Sequence, residues 1–342
     1  MRRRGRTVLA AALVAVGSLA SAAAMAADSA VILMYHRFGE TEYPSTNISL
    51  QQFEEHIAEL KSGPYTVLPV PEIVAAVRDG KPLPDRTVGI TIDDAYRSIY
   101  TEAWPRLKAA GLPFTIFVST EAIDKHLEAL MTWDQLRELN RQGVTIGGHT
   151  VSHLHMVEAG EERDRKELME SNARFTDELG RPPTLFAYPY GEATLATERA
   201  AREAGYVAAF GQHSGVMDKT SDMFFLPRFA LNENFGGLAR FKLVINALAL
   251  PVREVTPADS IFSSKTPPIL GFTVAEDIAN LDRLTCFVSD EGRVPIERLG
   301  KFRIEVRPHR TLPEGRSRMN CTMPTDGGRW RWWGRLLYVP KP

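Results

Sequence analysis

Val88-Gly89-Ile90-Thr91-Ile92-Asp93-Asp94 is an apolar run that closes on two adjacent carboxylates. A second run, Val144-Thr145-Ile146, is soon followed by His149 and His153, four residues apart. An ionised carboxylate at the end of a buried strand needs a charge partner or a metal to offset its desolvation. Two neutral imidazoles with one carboxylate make a three-ligand site for a divalent cation. One Asp is then left over beside the metal, where a water-activating base belongs. Either pair alone has a plainer reading, since Asp-Asp caps helices or sits in solvated turns and His-x-x-x-His lies on solvated helix faces. Their joint position after strands in the same half of the chain favours the metal site.

Outward from these two runs the chain alternates strand and helix. Strand-like runs cover 31–34, 88–92, 114–118, 144–146, 185–187 and 207–210, and helical patterns cover 102–110, 132–142, 161–179 and 197–204. Ser49 is placed to cap a helix through Phe53, Ile57 and Leu60, and Pro71 to open another through Ile73, Val74 and Val77. Gly111, Gly143, Gly180 and Gly205 stand where left-handed helix caps belong. About seven strands with intervening helices predict a parallel (β/α) barrel, seven-stranded and incomplete, over an open sheet. Residues just past the strands then share one rim: His36, Asp93 with Asp94, His149 with His153, Tyr190 after Pro189, and Arg228 after Phe224-Phe225-Leu226.

The chain has 342 residues, 44% hydrophobic and 24% charged, with a formal charge of −1. This composition fits two folded domains and excludes global disorder. It carries no polybasic field, so neither nucleic acid nor an anionic membrane surface is expected as a partner. Residues 1–26 read as a signal peptide: a basic head (Arg2-Arg3-Arg4-Gly5-Arg6), an apolar stretch from Thr7 to Ala20, and a small-x-small site at Ala24-Met25-Ala26. The mature chain is expected to start near Ala27, periplasmic or secreted, with no stable membrane insertion. The barrel is expected over 27–249. From Pro251 onward, alternation such as Phe302-Arg303-Ile304-Glu305-Val306-Arg307 predicts a small all-β, sandwich-like domain over 250–342. The two cysteines, Cys286 and Cys321, both fall there and are expected to form one disulfide in an oxidising compartment, with two separate buried thiols as the alternative. Trp330, Trp332, Trp333 and Tyr338 read first as half core and half edge of a strand, and second as a sugar-stacking face.

Three stretches resemble a known family. Thr91-Ile92-Asp93-Asp94-Ala95-Tyr96 resembles the Thr-Phe-Asp-Asp-Gly motif of polysaccharide deacetylases, the NodB homology domain of carbohydrate esterase family 4. His149-Thr150-Val151-Ser152-His153 resembles its His-Ser/Thr-x-x-His motif, and Phe186-Ala187-Tyr188-Pro189-Tyr190-Gly191 its Arg-x-Pro-Tyr motif. The likeness runs from about Val31 to Asn232. Met34-Tyr35-His36 further resembles the permuted, exported poly-N-acetylglucosamine deacetylase subgroup, in which a histidine usually found late in the domain comes first.

The resemblance implies a metal-dependent hydrolase that removes N-acetyl groups from an N-acetylglucosamine-containing polysaccharide and releases acetate. Asp94, His149 and His153 would hold a divalent metal, zinc before cobalt or nickel, and Asp93 would take a proton from the attacking water. The backbone near Pro189 and Tyr190 would help hold the oxyanion, and His36 would protonate the departing amine. His213 competes with His36 for that last role. Ala95 stands where the family has Gly, and Ala187 where it has the Arg that orients the base. Arg228 is the candidate to replace that Arg; an ordinary ion pair is the alternative. His155, two residues past His153, is expected to point away from the metal. An O-acetyl esterase and a non-catalytic glycan-binding protein are the other readings. Which glycan enters is not readable from the loops.

Overall fold

The computed structural model describes residues 26–275 and 278–341; the signal-peptide reading of 1–26 lies almost wholly outside the described residues. Six parallel strands form the main sheet: β1 (Ser29–Tyr35), β2 (Thr87–Asp93), β3 (Thr115–Val118), β4 (Thr145–Gly148), β5 (Leu185–Ala187) and β6 (Ala208–Phe210). They pair in that order, each with the next. A short strand, β7 (Phe229–Ala230), pairs parallel with β1, and Leu226, three residues before it, bridges in parallel to Phe210 of β6. The segment 226–230 thus links the two edges of the curled sheet as a seventh, irregular stave, which makes the barrel incomplete. The expected strand at Phe224-Phe225-Leu226 is instead a turn whose last residue alone joins the sheet. Pro227 has no N–H to give a ladder, so regular pairing cannot start until β7.

Side-chain alternation sorts the strands into two cores. Val31, Leu33 and Tyr35 of β1 pack with Val88, Ile90 and Ile92 of β2 under the helices on one face, while Ala30 and Ile32 face inward with Phe117, Ala187, Phe210 and Leu226. By the same alternation Gly89, Thr91 and Asp93 point to the barrel interior. Gly147 permits the close approach of the next strand layer, because a Cβ there would lie 2.5 Å from the Phe117 ring.

The helices begin and end where the local chemistry requires. α1 (Leu50–Ser62) starts at Ser49 with a reciprocal capping box to Gln52. α2 (Val70–Arg78) has Pro71 in its first turn. A π-turn (Ile99–Ala103) leads into α3 (Trp104–Ala110), so this helix begins before the expected Glu102. α4 (Trp133–Arg141) is capped by Thr132, α5 spans Glu161–Leu179, and α6 spans Leu195–Glu203. Gly111, Gly143, Gly180 and Gly205 all take positive φ, as the caps require. A further helix, α7 (Leu238–Ile245), packs its Phe241 flat on His56 of α1, and the sequence pattern gave no warning of it.

Past Leu250 the chain builds two sheets. One holds Val252–Thr256, Leu270–Val274, Arg303–Val306 and Ile296–Leu299. The other holds Gly292–Val294, Thr285–Val288, β8 (Gly315–Pro324) and β9 (Trp330–Val339), and takes in Leu248–Ala249 at its edge. They share a core of their own that includes Phe272, Leu284, Ile304, Met319 and Leu337. Cys286 and Cys321 are directly opposed across two of these strands and form a disulfide. Of the tryptophans, Trp333 packs on Phe272 in this core, Trp332 meets Phe229 of the barrel edge to face, and Trp330 is exposed. No helix among the described residues is long and apolar enough to cross a membrane.

Candidate active site

Strand register gathers the chemistry at one mouth of the barrel. Tyr35 pairs with Ile92, which sets His36 level with Asp93. Val118 pairs with Gly148, and the N–H groups of Asp94 and His149 donate to the carbonyls of Phe117 and Val118, each at 3.0 Å. The first residue past β4 therefore arrives beside the first residue past β2.

Asp94 Oδ1 lies 3.4 Å from His149 Nε2 and 3.3 Å from His153 Nε2. The three donor atoms all fall within 4.8 Å of one another. The Nδ1 of His149 lies 2.6 Å from the Ala187 carbonyl oxygen, to which it donates, so Nε2 keeps its lone pair. Both Asp94 Oδ1 and His149 Nε2 are buried and have no hydrogen-bond partner among the described residues. Orphaned polar atoms of this kind are costly, and one acid with two imidazoles is a donor set that a divalent cation satisfies. The residues present fit such an ion. Burial by itself would raise the Asp94 carboxyl, but His149 and His153 override it and hold the group well below the ordinary carboxylate range.

Asp93 ends β2 and points inward, fully buried. Arg228, equally buried, grips it with both arms: Nη1 donates to Oδ1 at 2.7 Å and Nη2 to Oδ2 at 2.8 Å. The same guanidinium donates to Thr91 Oγ1 at 3.1 Å and, through Nε, to the Gly211 carbonyl at 2.9 Å. Burial alone would raise the Asp93 carboxyl; Arg228 and His36 hold it below its ordinary value. The guanidinium therefore reaches Asp93 from the closing stave, as an interior pair and not an ordinary surface one.

His36 Nε2 stands 3.9 Å from Asp93 Oδ2, and burial lowers its pKa against the pull of Asp94 and Asp93. His213 lies elsewhere. It is buried against Phe225, borders a separate cavity of about 430 Å³ with Glu198 and Trp333, and is held down to about 3 by burial. His155 also stays out of the cluster, because its Nδ1 lies 2.9 Å from Glu192 and its ring stacks on Tyr190 at 3.7 Å. Tyr190 follows the buried Pro189 at φ 60° and presses its ring on His153, with centroids 4.5 Å apart.

A groove of about 730 Å³ runs over His36, Asp94, His153 and Tyr190. Its far wall is not barrel at all: Arg316, Arg318 and Asn320 of β8 and Trp332 of β9 form it. The sequence reading missed this wall, together with Thr91 and the Ala187 and Gly211 carbonyls that orient His149 and Arg228. The period-two spacing of Arg316, Arg318 and Asn320 shows that they share a face, but not what that face meets.

Fold and site together define a class: an incomplete (β/α) barrel with an acid–imidazole cluster and a buried second acid at the mouth. Residues 80–209 match the polysaccharide deacetylase family model, and the chain carries a domain of that family, whose members are polysaccharide N-deacetylases acting on amide bonds. A Bacillus subtilis (strain 168) protein bearing the same family name is 28% identical over 61% of this chain and 73% of its own length. The poly-beta-1,6-N-acetyl-D-glucosamine N-deacetylase of Staphylococcus aureus (strain MRSA252) is 25% identical over 60% of this chain and 80% of that protein. The Escherichia coli (strain K12) protein of the same name is 26% identical over 55% of this chain, which spans only 34% of that protein. Among solved structures, Streptococcus pyogenes deacetylase PplD in complex with acetate superposes with a TM-score of 0.59 at 22% identity, covering 64% of this chain and 98% of that one. This last likeness is one of fold.

Proposed function

We propose that this chain is a metal-dependent de-N-acetylase of an N-acetylglucosamine-containing polysaccharide, and that it releases acetate. One observation carries the reading: two orphaned buried donors, Asp94 Oδ1 and His149 Nε2, lie beside a second carboxylate that Arg228 holds in a fixed orientation. Asp94, His149 and His153 hold the cation, for which zinc fits best and cobalt or nickel fit the same donors. A divalent cation there supplies Lewis-acid polarisation of the acetyl oxygen and makes water easier to deprotonate. Asp93 takes the proton from the attacking water. His36, in its protonated form, gives a proton to the leaving nitrogen and regains one from Asp93 across the 3.9 Å that separates them. The backbone at Pro189 and Tyr190 helps hold the developing oxyanion.

Each of the two departures from the family motifs, at Ala95 and Ala187, has a local counterpart that supports the catalytic reading. Ala95 takes φ 56°, the turn a glycine would make, and Arg228 stands in for the arginine absent at Ala187. We read 27–249 as the barrel domain and 250–342 as a separate sandwich-like domain, in keeping with the core that starts at Leu250. We place the protein in the periplasm or outside the cell, on the basic-apolar leader and the Cys286–Cys321 disulfide. The test joins metal analysis of the purified protein to acetate release from a panel of acetylated glycans, repeated with Asp93→Asn. The expected result is about one divalent ion per chain in both proteins, with a fall in rate of ~10²-fold or more in the variant. Metal-free protein, or an unaffected rate, overturns the reading.

A further inference from the structure

The groove's charge does not match an uncharged glycan. Among the described residues its only acid is Asp94, which the proposed function assigns to a cation, yet Arg240, Arg316 and Arg318 all line it. Arg240 is bonded to the carbonyls of Ala230 and Phe235. Arg316 donates to the Tyr190 carbonyl at 2.8 Å and lies 3.4 Å from Glu192, an acid already paired with His155. The Arg318 side chain has no hydrogen bond and no ion pair among the described residues. It sits two positions from Arg316 on the same solvent-exposed face of β8. An uncompensated guanidinium beside a second one, in the groove that runs to the reacting centre, is a poor way to meet neutral hydroxyls. A guanidinium fork matches carboxylate and phosphate oxygens in geometry and charge.

We infer that this groove selects an acetylated glycan that carries an oxyanion, a carboxylate or a phosphate, and that Arg318 is the specificity residue that reads it. Arg316 holds the Tyr190 peptide in place from the same strand, which leaves Arg318 as the arm free to engage substrate. Trp332, in the same wall as Arg318, packs edge to face on Phe229 with its Nε1 donating to Asn320 Oδ1 at 2.9 Å, and offers a ring on which the same sugar chain can rest. The inference rests on the groove being a deacetylase groove for its chemistry, but not for its charge.

Four versions of one sugar chain separate the possibilities: chitotetraose, the same tetramer oxidised to carboxylates at C6, that acid capped as methyl amides, and the tetramer phosphorylated at C6. Acetate release and calorimetric binding are measured with zinc-loaded full-length protein, its Arg318→Gln variant and its Arg318→Lys variant. The wild type should favour a charged tetramer over the capped one by tenfold or more in kcat/KM and in affinity. The preference should shrink as salt rises, collapse in Arg318→Gln and return in part in Arg318→Lys. The carboxylate and phosphate arms show which oxyanion is read. Equal handling of charged and capped tetramers, or a preference that survives in Arg318→Gln, overturns the inference. If no tetramer releases acetate, the deacetylase reading loses support, while the calorimetric comparison still decides whether Arg318 reads an anion.

Discussion

Removing Arg228 tests the site at its most tightly determined point. Arg228→Ala deletes four hydrogen bonds and leaves the Asp93 carboxylate buried with no cation of fixed charge beside it. Breaking a buried pair by removing one partner costs about 3–5 kcal/mol, less whatever the survivor recovers by taking up a proton. For a chain of this size that corresponds to a fall of roughly 5–10 °C in Tm. Recovery by protonation has a chemical consequence: a neutral Asp93 cannot accept the proton of water, so deacetylation should fall by ~10²–10³. Asp94, His149 and His153 do not touch Arg228, so metal content should stay at the wild-type level. Arg228→Lys keeps the charge without the fork and should fall between the two in both stability and rate. The assays are thermal and urea unfolding, metal analysis, and acetate release. Wild-type stability and turnover in Arg228→Ala would refute the reasoning; loss of the metal together with the rate would show that the mouth had collapsed and not that the base was disabled.

Two further changes probe backbone and charge. Ala95 sits at φ 56°, a conformation that costs an L-residue about 1–2 kcal/mol, so Ala95→Gly should relieve strain and give back about 0.4–1 kcal/mol in unfolded-chain entropy. Urea midpoints should therefore move little, whereas Ala95→Val should lose ~2 kcal/mol or more at this fully buried position. Glu198, by the second cavity, is pushed up from 4.5 to about 8 by burial and then by Asp222. Below the unfolded value both states hold the proton and Glu198 contributes nothing; between the two values the unfolded chain ionises first, and stability falls as pH rises, by an amount of order 5 kcal/mol at most. Glu198→Gln should match wild type near pH 4 and exceed it at pH 8 in urea unfolding; equal stability at pH 8 would remove the burial argument.

The barrel was legible because its signals are local. Apolar runs of three to five residues mark strands, Ser49 and Thr132 mark helix starts, and four glycines mark helix ends, all within a few residues of what they determine. The pairing of Asp94 with His149 and His153 was also legible, since strand order and register follow from the alternation of elements. His36 and His213 could not be told apart by sequence, because their separation depends on register: Tyr35 opposite Ile92 lifts His36 to the mouth, while the turn after β6 drops His213 behind Phe225. The wall of β8 and β9 was illegible for a different reason. Alternation gives a strand its two faces, but which face meets another part of the chain is settled by packing between residues more than 80 positions apart, such as Trp332 on Phe229.

Adjacent side chains on an extended strand point to opposite faces, so an Asp-Asp pair at a strand end should not be able to serve one site. Here it does, and the backbone shows how. Asp93 is the last residue of β2 and takes the inward direction that Thr91 and Gly89 set before it. Asp94 adopts φ 73° and Ala95 φ 56°, which breaks the alternation and swings the second carboxylate back over the same mouth. His153 and Thr150 after β4, and Tyr190 after β5, take the same left-handed conformation, so five of the ten such non-glycine residues among those described lie in the loops that build the site. At about 1–2 kcal/mol each, their summed cost approaches the net stability of an ordinary domain. Such strain persists only where the surroundings over-determine it. The surroundings here are the ladder bonds that pin Asp94 and His149 to β3, and the buried Arg228–Asp93 fork that fastens the closing stave to β2. The bond that completes the barrel is thus the one that orients the proposed base, which is why fold stability and turnover should fall together when it is cut.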